Sequence, residues 1–131
     1  MSRRRIWWAM SFAAGLLAAG LSTSLAGCAG TYTTISPDEV QQRLASADPV
    51  FLLDVRTPGE YDSGHLPGAT LIPVQELESR LSEVPADTTV IVYCATASRS
   101  AEAAGILAGA GYGDVFNMAQ GIQAWRGPIE R

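Results

Sequence analysis

The run Val90-Ile91-Val92-Tyr93-Cys94-Ala95-Thr96-Ala97-Ser98-Arg99-Ser100 decides how this chain folds. Val90 to Tyr93 is apolar and β-branched, the composition of a strand. From Ser98 to Ala110 the chain is dense in Ala, which predicts a helix with Ser98 as N-cap, Ile106 and Leu107 inward, and Gly111 and Gly113 closing it. A strand that becomes a helix within a few residues turns its backbone N–H groups towards one point, at the positive end of the helix. Cys94 opens that turn and Arg99 follows it. An anion is favoured there, so Cys94 is expected as a thiolate.

The same alternation runs outward in both directions. Tyr32 to Ile35 reads as a first strand. Ser36-Pro37-Asp38-Glu39 reads as a helix start, with Val40, Leu44 and Ala47 as its apolar stripe and Asp48-Pro49 as its stop. Val50 to Leu53 is an unbroken apolar run, as expected of a strand covered on both faces. Asp54-Val55-Arg56 ends it, followed by a turn at Thr57-Pro58-Gly59 and a helical turn at Glu60-Tyr61-Asp62. Ala69 to Ile72 is a short strand that Pro73 stops. Val74 to Val84 carries helical spacing at Leu77, Leu81 and Val84, and Pro85-Ala86-Asp87 turns into the strand Thr89 to Tyr93. Asp114 to Met118 is a last strand, and Gly121 to Trp125 a terminal helical turn. This order predicts one α/β domain, a central mostly parallel sheet with helices on both faces. Ligands of such sheets sit at the carboxyl ends of the strands, where Asp54-Val55-Arg56 and Cys94 both fall.

The N-terminal part reads differently. Arg3-Arg4-Arg5 precedes an apolar run from Ile6 to Ala26, and Leu25-Ala26-Gly27-Cys28 ends it. This resembles a bacterial lipoprotein signal: residues 1–27 as signal peptide, Cys28 acylated as the new N-terminus, and 28–34 as a lipidated tether. Ser2-Arg3-Arg4 is also loosely similar to a twin-arginine export signal. The alternative is an uncleaved anchor, since about 20 apolar residues cross a bilayer. Either reading expects residues 35–131 outside the cytoplasm, held at a membrane. Beyond the leader the chain has six arginines, no lysine and thirteen acidic residues, a net charge of −7 with His65 neutral. Such a surface excludes nucleic acid and electrostatic docking on anionic lipid as expected partners. With Cys28 lipidated, Cys94 is the sole free thiol, and any partner that reduces it comes from another protein. No His/Cys cluster has metal-ligand spacing and no Gly-rich loop suits a dinucleotide, so neither metal nor cofactor is expected.

Five motifs in order carry a family resemblance: Asp54-Val55-Arg56, Glu60-Tyr61, Gly64-His65-Leu66-Pro67-Gly68-Ala69, Tyr93-Cys94 through Arg99-Ser100, and Gly121-Ile122-Gln123-Ala124-Trp125. Together they resemble rhodanese-like domains over roughly Ile35 to Trp125. The resemblance implies a thiosulfate sulfurtransferase-like enzyme. Cys94 would take sulfane sulfur from a thiosulfate-like donor, hold it as a persulfide, and pass it to a thiol or to cyanide. Loop amides at Ala95, Thr96, Ala97 and Ser98 would cradle the outer sulfur, and the planar fork of Arg99 could hold a sulfonate. Asp54, Arg56 and Ser100 would support the site.

Each residue also has a plainer reading. Cys94 could be a buried structural thiol and Arg99 a surface arginine. The Thr96 hydroxyl could meet the persulfide or solvent. Asp54 is expected to brace the loop, Arg56 and Glu60 to form an ion pair across their turn, His65 to pack its Gly-Pro turn, and Trp125 to sit in the core. Two rival functions follow. The family often has Gly where this chain has Ala97; if that position needs φ > 0, a strained loop would suit a non-catalytic protein-binding module. An oxyanion reductase or phosphatase is the other rival. Cysteine phosphatases place five residues between Cys and Arg, whereas four stand between Cys94 and Arg99, a smaller cradle that suits sulfur.

Overall fold

A computed structural model describes residues 30–131; the leader 1–27 and Cys28 lie outside them. Five strands, β1 (Thr33–Ile35), β2 (Val50–Asp54), β3 (Thr70–Leu71), β4 (Thr89–Tyr93) and β5 (Val115–Met118), form one sheet in the order β1-β5-β4-β2-β3. Every pairing in it is parallel. The central pair sets the site. Val50 pairs with Thr89, and four steps on Asp54 stands beside Tyr93, the residue before Cys94.

Three α-helices, α1 (Pro37–Ala45), α2 (Pro58–Ser63) and α3 (Ser98–Gly109), and two 3₁₀ segments, Val74–Glu83 and Ile122–Ala124, complete the described residues. Side chains alternate along each strand, so the sheet feeds two cores. Leu53, Val90, Val92 and Val115 pack with Val74, Leu77, Ala103, Ala104 and Leu107 on one face. Leu52, Ile91, Tyr93 and Met118 pack with Val40, Leu66 and Trp125 on the other. Tyr93, Leu53, Ile91 and Leu107 have no exposed surface. At roughly 1.5–3 kcal/mol per fully buried large apolar side chain, these layers dominate the fold's stability.

Several expected boundaries move. Ser36 does cap α1, accepting from the Glu39 amide at 3.1 Å, with Pro37 at its first position. The helix ends at Ala45, where the Ser46 hydroxyl donates to the Arg43 carbonyl at 2.8 Å. Ala47 therefore lies beyond the helix and is exposed. Thr57-Pro58-Gly59 is a helix start rather than a free turn. The Thr57 hydroxyl accepts from the Glu60 amide at 3.3 Å while Glu60 Oε2 accepts from the Thr57 amide at 3.0 Å, a reciprocal cap that nucleates α2.

The segment Val74–Glu83 is 3₁₀ rather than α-helical, with a kink at Arg80 (φ −121°). Spacings of three to four residues serve both helix types, so the pattern did not separate them. The Tyr112 hydroxyl lies 2.8 Å from the carbonyl oxygens of both Leu81 and Val84, pinning the segment's end with one proton. His65 stacks on Tyr61 (centroids 3.7 Å apart, 6° between planes), and its backbone pairs with Glu130. Its turn is thereby packed and the C-terminus tied down. Among the described residues no helix is long and apolar enough to cross a membrane.

Candidate active site

The Cys94 loop lies between β4 and α3 and is held from two sides. Behind it, Gly121 (φ +66°) crosses so closely that a Cβ there would stand 2.3 Å from the Ala95 carbonyl oxygen and 2.6 Å from that of Cys94. Only glycine fits. This approach lets the Ile122 amide donate to the Cys94 carbonyl at 2.9 Å and the Gln123 amide to the Ala95 carbonyl at 3.4 Å. With those carbonyls tied outward, the later peptide N–H groups turn towards the sulfur.

The Ala97 amide donates to Cys94 Sγ at 3.1 Å. Burial pushes the thiol pKa up, but the Ser100 hydroxyl and the amides of Ser100, Thr96 and Ala97 more than offset it. The net shift is downward, towards thiolate. The Ser100 proton is contested, because its hydroxyl also donates to Asn117 Oδ1 at 2.5 Å. One O–H serves one acceptor at a time. The three amides are therefore the constant part of the cradle.

Ala97 stands at φ +87°, ψ −7°, the left-handed region, immediately before the first helical residue. That conformation turns the chain into α3 so that the Ser100 amide joins those of Thr96 and Ala97 on the sulfur. It also makes Ala97, not Ser98, the N-cap of α3, and no side chain caps the helix start. The expectation of a Ser98 cap is corrected here. The orphan amides that a cap would satisfy face the thiol instead. The Ser98 and Thr96 side chains are exposed, and Ala95 contributes its carbonyl to the rear anchorage.

Cys94 itself has no exposed surface and belongs to the buried cluster of Leu53, Val55, Val92 and Ala103. Its sulfur is thus backed by aliphatic groups and faced by amides. A small molecule can reach the sulfur only after local opening.

The expected Arg56–Glu60 pair does not form. Arg56 pairs with Asp54, two residues earlier in extended chain and so on the same side. Its Nη2 donates to Asp54 Oδ2 at 2.7 Å and to the Gly64 carbonyl at 2.8 Å, and its Nε to Asp54 Oδ1 at 3.0 Å. The Tyr93 hydroxyl also donates to Asp54 Oδ2, at 2.7 Å, and accepts from the Leu66 amide at 3.1 Å. Burial and the Asp54 carboxylate hold the Tyr93 phenol well above its usual pKa, so it remains a donor. This closed network braces the end of β2 against the end of β4. Asp54 and Arg56 support the loop's foundations.

Glu60 pairs instead with Arg99, across 39 residues of sequence. Arg99 Nη1 donates to Oε2 and Nη2 to Oε1, both at 2.8 Å. Sequence reasoning missed this partner, and also Asn117 behind Ser100. Glu60-Tyr61 and the Gly121 motif were visible as signals, but nothing local tied them to Cys94. Among the described residues no cluster of three His, Cys, Asp or Glu could hold a metal.

A family model described as the Rhodanese-like domain matches residues 36–128. This chain belongs to the rhodanese-like family. A sulfurtransferase of Allochromatium vinosum is 41% identical to it over 91 residues, covering 70% of this chain and 85% of that protein. The thiosulfate sulfurtransferase GlpE of Pseudomonas syringae is 31% identical over 90 residues, covering 69% and 84%. Among solved structures, a rhodanese-like domain protein of Staphylococcus aureus superposes with a TM-score of 0.70 at 31% identity, covering 75% of this chain and 96% of that one. The matched residues span β2 to β5 and the strand–loop–helix unit that carries Cys94. Family membership supports a rhodanese-type sulfurtransferase.

Proposed function

We propose that this protein is a sulfurtransferase that carries sulfane sulfur on Cys94. The observation that supports the reading best is the convergence of amides on a thiol whose pKa falls despite burial. With thiosulfate, the Cys94 thiolate attacks the outer sulfur, the S–S bond of the donor breaks, and sulfite leaves with the bonding pair. Cys94 becomes a persulfide anion. An acceptor thiolate or cyanide then attacks the outer sulfur, takes it as a persulfide or thiocyanate, and restores the Cys94 thiolate. No external oxidant or reductant enters this cycle.

Both states of Cys94 are anionic. Amides that stabilise the thiolate can serve the persulfide, and one such well-aimed donor is worth roughly 3 kcal/mol of barrier. Arg99, at the loop's end, is the group within the motif suited to an anionic donor. Lipidation at Cys28 after removal of residues 1–27 would hold the domain outside the cytoplasm, against a membrane, where another protein's thiols would keep Cys94 reduced.

Intact mass of the full chain after incubation with thiosulfate, and separately with an alkyl persulfide, tests the chemistry. One added sulfur, absent in Cys94→Ser, is expected. No adduct with either donor would leave the fold as a binding module. The mass of the chain made with its own leader tests the anchor: loss of residues 1–27 with lipid on Cys28 is expected, and an unmodified leader would refute it.

A further inference from the structure

Arg56 and Arg99 are both already engaged by carboxylates. Arg56 is closed into the buried network with Asp54. The second pair is different in kind. Arg99 and Glu60 meet end-on, Nη1 and Nη2 each donating to one carboxylate oxygen at 2.8 Å, and their side chains keep 30% and 35% of their exposure. The Glu60 carboxylate is also fixed independently, since the Thr57 amide and hydroxyl each donate to Oε2 at 3.0 Å. It does not have to be gathered from solvent to meet Arg99. The Arg99 guanidinium, then Thr57, hold its pKa down to about 2, so it is an anion wherever the domain is folded near neutrality.

We infer that Glu60 is a specificity determinant of the Cys94 site: its carboxylate takes the end-on fork of Arg99 and offsets the positive charge a sulfonate would need, and so weights the site against oxyanionic sulfur donors and towards donors carrying sulfane sulfur on an organic group. This deepens the sulfurtransferase reading and rests on it. A thiosulfate dianion meets a guanidinium whose charge is offset in place, beside a thiolate that repels it. On Arg99 it can be held only beside a carboxylate that Thr57 tethers in place and that repels it. An alkyl persulfide has no such requirement. The Cys94 thiolate attacks its terminal sulfur, the donor S–S bond breaks, and the alkyl thiolate leaves. Glu60 also lines a recess of about 360 Å³ with Arg56, Ser63, Gly64, Ile122 and Ile129.

The test compares second-order rate constants for sulfur loading on Cys94, read by intact mass of the full chain, with thiosulfate and with an alkyl persulfide, which carries no sulfonate, as donors. Glu60→Gln removes the charge but retains an amide that can cap α2. The ratio of thiosulfate to persulfide rate constants is expected to rise about five-fold or more. Glu60→Ala, assayed below its own melting temperature, should move the ratio the same way. A ratio within two-fold of wild type in both variants, or a fall, overturns the inference. The two failures are distinguishable: loading with an unchanged ratio removes the role of Glu60 alone, whereas no loading from either donor removes the sulfurtransferase reading as well.

Discussion

Ala97 is held in a backbone conformation that favours glycine, and the cost can be measured. Its amide donates to Cys94 Sγ at 3.1 Å and its carbonyl accepts from the Ala101 amide at 3.0 Å. Relaxing φ from +87° to a negative value would redirect the chain that follows and carry the Ser100 amide and hydroxyl off the sulfur, so the strain is locked in by the site. A left-handed alanine costs about 1–2 kcal/mol through its Cβ. Ala97→Gly removes that, but enlarges the unfolded ensemble by ~0.4–1 kcal/mol. The net expectation is a stabilisation of about 0.5–1 kcal/mol. For a domain of this size the melting temperature should rise by about 4 °C. Thermal unfolding by circular dichroism reads the shift, and a urea titration reads the free energy. The alkylation profile of Cys94 should stay in place, because glycine keeps the amide. Ala97→Val should go the other way, since a β-branched residue tolerates positive φ poorly. A glycine variant equal to or less stable than wild type would refute the strained-loop reasoning.

Asp54→Ala leaves Arg56 buried without its carboxylate and Tyr93 without its acceptor; a loss of about 3–5 kcal/mol is expected in urea unfolding. A loss under ~1 kcal/mol would mean that the network is not braced as described. Ser100→Ala should shift the pH midpoint of Cys94 alkylation upward, because a donor to the thiolate is lost. A midpoint that stays put would assign the anion's stabilisation to the amides alone. Arg99→Ala strands the Glu60 carboxylate at the site and should slow loading from thiosulfate about ten-fold more than loading from an alkyl persulfide. Equal losses would detach Arg99 from donor charge. The Glu60 carboxylate titrates lower folded than unfolded, so it stabilises the fold above the ordinary carboxylate range. That contribution is lost as pH falls from 4.5 towards about 2. With a third of the side chain exposed, about 1 kcal/mol is expected. Urea unfolding of Glu60→Gln should lack this acid-side loss, and an identical pH slope would contradict the pairing.

What could be read from the sequence was whatever local chemistry determines. The run Val50–Leu53 is apolar on both sides of the pleat, and it is a central strand because nothing else can cover both faces. The Ser36-Pro37 cap, the Cys94 turn and the helix after it were legible for the same reason. What escaped reading was set by distance. Glu60 finds Arg99 across 39 residues, and Asn117 reaches Ser100 from β5; only the sheet order brings them together. A turn between Arg56 and Glu60 suggests that the two meet, whereas Asp54-Val55-Arg56 is still extended and sets Arg56 on the Asp54 side. The Ser98 cap failed for a functional reason. A capping hydroxyl would have competed with the thiol for the amides that face it. Even the type of helix at Val74–Glu83 was beyond sequence reading, because its end is fixed by Tyr112 from another element.

The account stands most directly on the charge of one sulfur, and a titration can read it. Full-chain protein is alkylated with a small reagent across a pH series, and modification at Cys94 is quantified by peptide mass against Cys94→Ser. A midpoint below the ordinary thiol value near 8.5 is expected, since the loop amides outweigh burial. A midpoint at or above that value would show a neutral, buried thiol, and the loop would then be no sulfur-carrying site.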